Sequence, residues 1–409
     1  VHPAVHIQRN TEVTGTAANL PASKSISNRA LILHALTNFR SVLHNLSAAR
    51  DTRLMQQLIQ SPEKTLNVLD AGTTMRFLTA YLTVTGQEKI LTGTPRMLER
   101  PIKPLVDALR TLGASIDYAG REGFPPVHTH GFSRQMTDVI EIPGNISSQY
   151  ISALMMVAPR LPQGLTLRLT GSVASVPYIK MTAALMAQFG VTPQLNLPEI
   201  RIAPANYQPA ELTIEADWSA ASYWYAFVAL ADHARVVLPH VTDNSLQGDR
   251  VIADLMSQLG VATAFVDAQA RLTKKTVSVS KLVWDFKDCP DLAQTVLPVC
   301  AALGIAGEFV GLESLRIKET DRIAALQNEL QKLNCVFEEP EAGHWKLTPG
   351  ALPEGPVTIQ TYHDHRMAMG FAPLATRIPL VIQDPSVVDK SYPDFWADMQ
   401  RVGFTLEKI

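Results

Sequence analysis

The sequence predicts an α/β protein of two domains, assembled from a repeated unit of about seventy residues. Three observations lead there. At 409 residues the chain is too long for one ordinary core. Gly113, Gly190, Gly260, Asn334 and Gly403 recur at similar spacing, each after an amphipathic stretch such as 105–109 or 252–256. Gly and Asn accept the left-handed conformation that ends a helix, so these positions read as C-caps leading into strands. Finally, 165–169 and 277–280 alternate apolar with polar residues, the pattern of short strands with one face in water.

Taken in order, the first helix signal is Pro21-Ala22-Ser23-Lys24-Ser25-Ile26-Ser27-Asn28-Arg29, which runs into the apolar stretch 30–36. Ser25, Ser27 or Asn28 can cap this helix, and Lys24 and Arg29 flank its positive dipole end. That is an anion grip, or else an ordinary capped helix with two solvated cations. A shortened copy of the repeat ends near 58–60, making six units in all. Segments 149–157 and 293–303 are apolar on nearly every side and long enough to favour buried helices, with the sheets outside. Arg96, Lys318, Arg322, His365, Arg366 and Lys390 all stand beside turn or helix-start residues, repeating the setting of Lys24 and Arg29.

Composition narrows the class. Hydrophobic residues make up 46% and charged residues 18%, which gives ample core material, and the net charge of -2 offers no global basic field for nucleic acid. Cys289, Cys300 and Cys335 contain no C-x-x-C pair and are odd in number, against a disulfide framework and for a reducing, cytoplasmic setting. No basic-then-apolar leader opens the chain, and no run approaches the roughly 18 apolar residues of a membrane span. His128-Thr129-His130 and His363-Asp364-His365 have metal-ligand spacing, but neither has a Cys- or Glu-rich partner set nearby in sequence, so no metal and no cofactor is expected.

Six motifs together resemble one family. Ser23-Lys24-Ser25-Ile26-Ser27-Asn28-Arg29, Ala71-Gly72-Thr73-Thr74-Met75-Arg76, Pro95-Arg96-Met97 with Glu99-Arg100-Pro101, Ser147-Ser148-Gln149, Lys318-Glu319-Thr320-Asp321-Arg322 and Asp364-His365-Arg366-Met367-Ala368-Met369 occur in the order found in the 5-enolpyruvylshikimate-3-phosphate synthases. The resemblance covers nearly the whole chain. It implies two domains, each of three βαβαββ units around buried helices: residues 1–20 with 217–409, and residues 21–216, with the active site in the cleft. It also implies a monomer acting on the small molecules shikimate 3-phosphate and phosphoenolpyruvate, with no nucleic-acid or membrane partner.

The chemistry of that family accounts for the residue types. Two phosphates and a carboxylate must share one site, and their repulsion calls for several fixed cations; arginine suits a planar carboxylate because its fork binds bidentately. By the resemblance, Lys24, Ser25, Arg29, Ser147, Ser148, Gln149, Ser175, Tyr178, Asp291, Ser314 and Lys318 hold shikimate 3-phosphate, Ser314 standing where the family often has asparagine. Lys24, Gly72, Arg96, Gln149, Arg322, Arg366 and Lys390 hold phosphoenolpyruvate. Addition and elimination through a tetrahedral intermediate need an acid and a base; Asp291 resembles the base at the 5-hydroxyl and Glu319 the proton-transfer residue, with Lys24, Lys390 and His365 assisting.

Each has a plainer reading. Asp291 fits a cap for the helix after Pro290, Glu319 and Arg322 fit a surface i, i+3 pair, Ser147 fits an N-cap and Gly72 a turn glycine. Asp70 and Phe77 depart from the asparagine and proline common in the family. The related UDP-N-acetylglucosamine enolpyruvyl transferases usually carry a cysteine in the loop at 93–101, where this chain has none. A non-catalytic protein closing on a phosphorylated ligand would need the cations but neither Asp291 nor Glu319. The resemblance further implies that glyphosate occupies the phosphoenolpyruvate subsite.

Overall fold

The computed structural model describes residues 3–409. They fall into two compact units, one of residues 1–22 with 215–409 and one of residues 23–214.

The unit of residues 23–214 carries two four-stranded sheets. Their strand orders are Thr65–Asn67, Lys89–Thr92, Val127–Phe132, Ala114–Tyr118 and Gln194–Asn196, Glu199–Ile202, Leu165–Thr170, Val139–Pro143. A third, two-stranded sheet pairs Glu211–Thr213 with Val42–His44 in parallel. Within the unit the helices Lys24–Leu36, Gly72–Val84 and Ser148–Val157 pack against one another and are buried on most sides. A helix apolar all round belongs in a core. The apolar segment at 149–157 accordingly forms such a helix.

The other unit repeats the plan with three four-stranded sheets and the central helices Trp218–Leu230, Ala293–Leu303 and His365–Phe371. Across both units each four-stranded sheet contains one parallel and two antiparallel pairings, the mark of a βαβαββ unit. Trp218, Tyr223, Trp224, Tyr225 and Phe227 are all buried on one helix, and burying each such side chain stabilises by roughly 1.5–3 kcal/mol.

Pro298 lies inside the helix Ala293–Leu303 and has no N–H to give the carbonyl of Gln294. Gly370 of the neighbouring helix backs onto that carbonyl so closely that a Cβ there would sit 2.1 Å from the oxygen. Proline and glycine thus define one close helix contact.

The five helix-ending positions all have positive φ: Gly113 109°, Gly190 84°, Gly260 97°, Asn334 57° and Gly403 108°. Two local expectations are corrected. Residues 277–280 form no strand; they are an extended connector on which Val277 and Val279 pack against the core, and Lys281–Asp285 is the strand that follows. The first helix is capped by Ser23, whose hydroxyl accepts from the Ile26 N–H at 3.4 Å, while Ser27 and Asn28 are buried inside the helix.

Candidate active site

In the unit of residues 1–22 and 215–409, the segment that opens the helix Ala293–Leu303 and the starts of Arg322–Gln331 and His365–Phe371 bring their polar residues together around Arg322. The Arg322 side chain is only 2% exposed. Its Nε donates to Asp364 Oδ2 at 2.6 Å, Nη1 to Asp291 Oδ1 at 2.8 Å and Nη2 to Glu319 Oε2 at 2.9 Å. Arg366 Nη2 donates to the other Asp291 oxygen at 3.1 Å, and Lys318 Nζ lies 3.6 Å from Asp291 Oδ1. Lys390, also buried, reaches the second oxygen of Glu319 at 3.3 Å. His365 Nδ1 stands 3.5 Å from Asp364 Oδ1.

Seven residues singled out in the sequence therefore form one network: Asp291, Lys318, Glu319, Arg322, His365, Arg366 and Lys390. Ser314 sits half-buried on the short helix Glu313–Ile317 just before Lys318.

The plainer readings fail for two of these. Asp291 does not cap the following helix; it lies within the turn Pro290–Leu292 and its carboxylate is spent on three cations. Glu319 and Arg322 are indeed an i, i+3 pair, but not a surface one: Arg322 is buried and Glu319 half-buried. Four cations, Lys318, Arg322, Arg366 and Lys390, meet three carboxylates, Asp291, Glu319 and Asp364, in this cluster.

Burial pushes the Asp291 carboxyl up, yet Arg366, Lys318 and Arg322 together outweigh it and hold the group well below the usual carboxylate range. Burial pulls Lys318 down. Nearby, burial raises Asp249 to about 6, Asp291 adding to the effect and Arg366 opposing it. Asp249 accepts from the Ser219 hydroxyl, and Tyr223 receives Arg366 Nη1 at 3.3 Å. Asp364, Asp249 and Tyr223 had no assigned part in the sequence reading. Asp364 had a signal, since it precedes a helix and caps it by accepting from the Arg366 N–H.

In the unit of residues 23–214 the expected anion residues are placed differently. Arg29 is buried, and its Nε, Nη1 and Nη2 donate to Thr182 Oγ1 at 2.7 Å, Ser25 O at 2.9 Å and Ser152 Oγ at 3.0 Å. Its guanidinium lies over the rings of Phe77 and Tyr178, 5.4 and 5.7 Å from their centroids. Burial lowers its pKa to about 10, so it stays charged at neutral pH. Phe77 thus supports Arg29, a contact proline could not make.

Lys24 Nζ is 3.5 Å from the buried carboxylate of Asp51. Gly72 opens its helix, where a Cβ would lie 2.6 Å from Arg76 Nη1 and 2.7 Å from Arg100 Nη2; Arg76 donates to the Gly72 carbonyl and Arg100 to that of Asp70. Asp70 itself pairs with Arg50 at 2.7 Å. Arg96 is half-buried and pairs with Glu99 at 3.2 Å. Ser147 caps the helix Ser148–Val157 through the Gln149 N–H, with Ser148 buried in its first turn. Ser175 holds a left-handed conformation, φ 55°, at the entry to Val176–Gln188, which carries Tyr178. Lys24, Gly72, Arg96 and Ser147 each have such local partners, whereas Arg29 and Tyr178 share one cluster.

His128 and His130 have the acidic neighbour that the sequence reading did not find: Glu88, forty residues away along the chain, faces both.

The family model described as EPSP synthase (3-phosphoshikimate 1-carboxyvinyltransferase) matches residues 7–61 and 56–399. A 3-phosphoshikimate 1-carboxyvinyltransferase of Bacteroides fragilis is 47% identical over 95% of this chain and 95% of its own length. Enzymes of that name from Idiomarina loihiensis and Neisseria meningitidis serogroup B are 35% and 37% identical over 98% and 92% of the chain, and 99% and 93% of their own lengths. The EPSP synthase structure from Acinetobacter baumannii superposes with a TM-score of 0.77 at 19% identity, covering all of both chains, a likeness of fold. The match along the chain, with the six motifs in order, means that this protein belongs to the EPSP synthase family.

Proposed function

We propose that the chain transfers the enolpyruvyl group of phosphoenolpyruvate to the 5-hydroxyl of shikimate 3-phosphate and releases phosphate, with the cluster around Arg322 managing the protons. The observation that carries this reading is that, of the three carboxylates one buried guanidinium holds, two differ in character: Asp291, gripped by three cations, and Glu319, bridged to Lys390. A base and a proton-transfer group in one site are what addition and elimination require.

Asp291 takes the proton of the 5-hydroxyl as that oxygen bonds to C2 of phosphoenolpyruvate. A proton from the Glu319 and Lys390 pair goes to C3 and completes the tetrahedral intermediate. Elimination returns a proton from the new methyl group to the Glu319 and Lys390 pair, restores the double bond and breaks the C2–O bond, and the proton held on Asp291 leaves with the phosphate. His365, beside Asp364, assists. The proton lent to C3 and the proton taken from the 5-hydroxyl are both returned within one turnover, so the protein ends the cycle unchanged.

With three cations on it, Asp291 is a weak base. Substrate phosphate and carboxylate groups compete for Lys318, Arg322 and Arg366, so substrate binding raises its basicity when the proton must move. In this reading Lys24, Ser25, Arg29, Ser147, Ser148, Gln149, Ser175, Tyr178, Ser314 and Lys318 serve shikimate 3-phosphate, and Lys24, Gly72, Arg96, Gln149, Arg322, Arg366 and Lys390 serve phosphoenolpyruvate.

The related transfer to UDP-N-acetylglucosamine gains no support: Cys289, Cys300 and Cys335 are all buried, and burial raises the Cys289 and Cys335 thiols to about 12. A cytoplasmic monomer, with no nucleic-acid or membrane partner, completes the proposal. No described helix is long and apolar enough to cross a membrane. A phosphate-release assay tests the activity: release should need both substrates together. Binding of both without release would reject it.

A further inference from the structure

The strand Val127–Phe132 lies in the middle of its sheet, hydrogen-bonded to Lys89–Thr92 on one side and Ala114–Tyr118 on the other. Val127, Thr129 and Gly131 point inward, so His128 and His130 stand together on the outer face, since alternate residues of a strand share a face. Their ring centroids are 3.9 Å apart. Glu88, just before the neighbouring strand, brings Oε1 to 3.2 Å from His128 Nε2. Asp117, on the strand across, brings Oδ2 to 2.9 Å from His130 Nε2.

We propose that Glu88, His128 and His130 form a binding site for a divalent transition-metal ion, zinc foremost, with Asp117 as the carboxylate partner of His130. One ligand atom from each of the first three lies within 4.8 Å of the others. A tetrahedral zinc ion with bonds of about 2.0–2.2 Å needs its ligand atoms roughly 3.3–3.5 Å apart. The His128 and Glu88 atoms, 3.2 Å apart, stand just short of that separation, and the remaining adjustment requires only rotation of partly exposed side chains, His130 being 30% and Glu88 56% exposed. Imidazole with carboxylate suits zinc, nickel and copper better than calcium or magnesium. The Lys64 ammonium, 3.2 Å from Glu88, is the resident cation that the metal would replace. None of these residues belongs to the proposed reaction machinery.

The ligands come from residues on and beside two adjacent strands, so an ion held there would tie the sheet together and stabilise the fold by mass action. Zinc titrated into the full chain, stripped beforehand with a chelator, should bind as one saturable equivalent and raise the melting temperature. Imidazole nitrogen NMR should show two histidines shifting together. Affinity should fall by about tenfold or more in Glu88→Gln and further in His128→Ala with His130→Ala. The metal-free variants should melt and turn over as wild type does. Undiminished zinc affinity in the double histidine variant, or no saturable equivalent in wild type, would overturn the site.

Discussion

Replacing Gly72 by alanine adds one methyl group where there is no room for it. The new carbon would stand 2.6 Å from Arg76 Nη1 and 2.7 and 2.9 Å from the two terminal nitrogens of Arg100. Both arginines are buried, so neither guanidinium can swing into water. Arg76 is further held by the Gly72 and Pro101 carbonyls at 2.9 and 3.3 Å and by the Tyr150 ring. Relief requires a shift of these groups or of the helix start, at a cost of about 1–3 kcal/mol, the usual range for overpacking. In a unit of this size that lowers the melting temperature by roughly 2–4 °C per kcal/mol. The same displacement reaches the subsite proposed for phosphoenolpyruvate, and glyphosate, being longer, should lose more affinity than the substrate. The expected result is a larger rise in the glyphosate inhibition constant than in KM for phosphoenolpyruvate, measured by competition, together with a lowered melting temperature. An unchanged melting temperature would refute the overlap, and equal losses of both affinities would refute the discrimination.

Asp291→Asn should keep shikimate 3-phosphate binding but lower kcat by roughly 10²–10⁴-fold, the share expected of a general base; unchanged turnover in a phosphate-release assay would remove Asp291 from that role. Lys24→Met should weaken both substrates in calorimetry, and should also destabilise the free protein by about 1–3 kcal/mol, because the buried Asp51 loses its cation. Asp249→Asn tests linkage. The folded value of about 6 lies above the ordinary 3.8, so this group's stabilisation is complete below about pH 4 and lost as pH rises through 6, a cost near 3 kcal/mol that the variant should not show in denaturant titrations across that window. Asp291 acts with the opposite sign: its stabilisation persists above the ordinary carboxylate range and is lost only in stronger acid. Gly370→Ala should destabilise more than Gly72→Ala in thermal unfolding, because its Cβ meets a backbone carbonyl, which has less freedom to yield than a side chain.

What the sequence discloses depends on how local the physical demand is. The helix endings at Gly113, Gly190, Gly260, Asn334 and Gly403 were legible because a positive φ is a requirement on one residue. The segment 277–280 misled because alternation specifies a face but not a partner strand. Arg322 looked like one half of a surface pair because i, i+3 spacing does not reveal what lies beyond the helix; Asp291 and Asp364 arrive from 31 and 42 residues away. Arg29 was legible as a cation near a helix start, but its engagement by Ser152 and Thr182 depends on helices that meet only in the folded unit. Glu88 beside His128 is a cross-strand relation of the same kind.

The arrangement of the terminal strands bears on how the chain folds as it is made. Among the described residues, the strand Ala4–Ile7 pairs with Leu380–Gln383 and Leu406–Lys408, more than 370 positions further along the chain. Glu12–Thr16 likewise waits for the strand His233–Pro239. The opening strands therefore leave the ribosome without partners and remain so while residues 23–214, whose sheets draw only on one another, are synthesised and become free to fold. The first sheet by sequence is the last to close. During that interval an unpaired strand edge carrying Val5 and Ile7, both buried in the finished fold, is open to other chains, so translation speed and holding chaperones bear on yield through this strand.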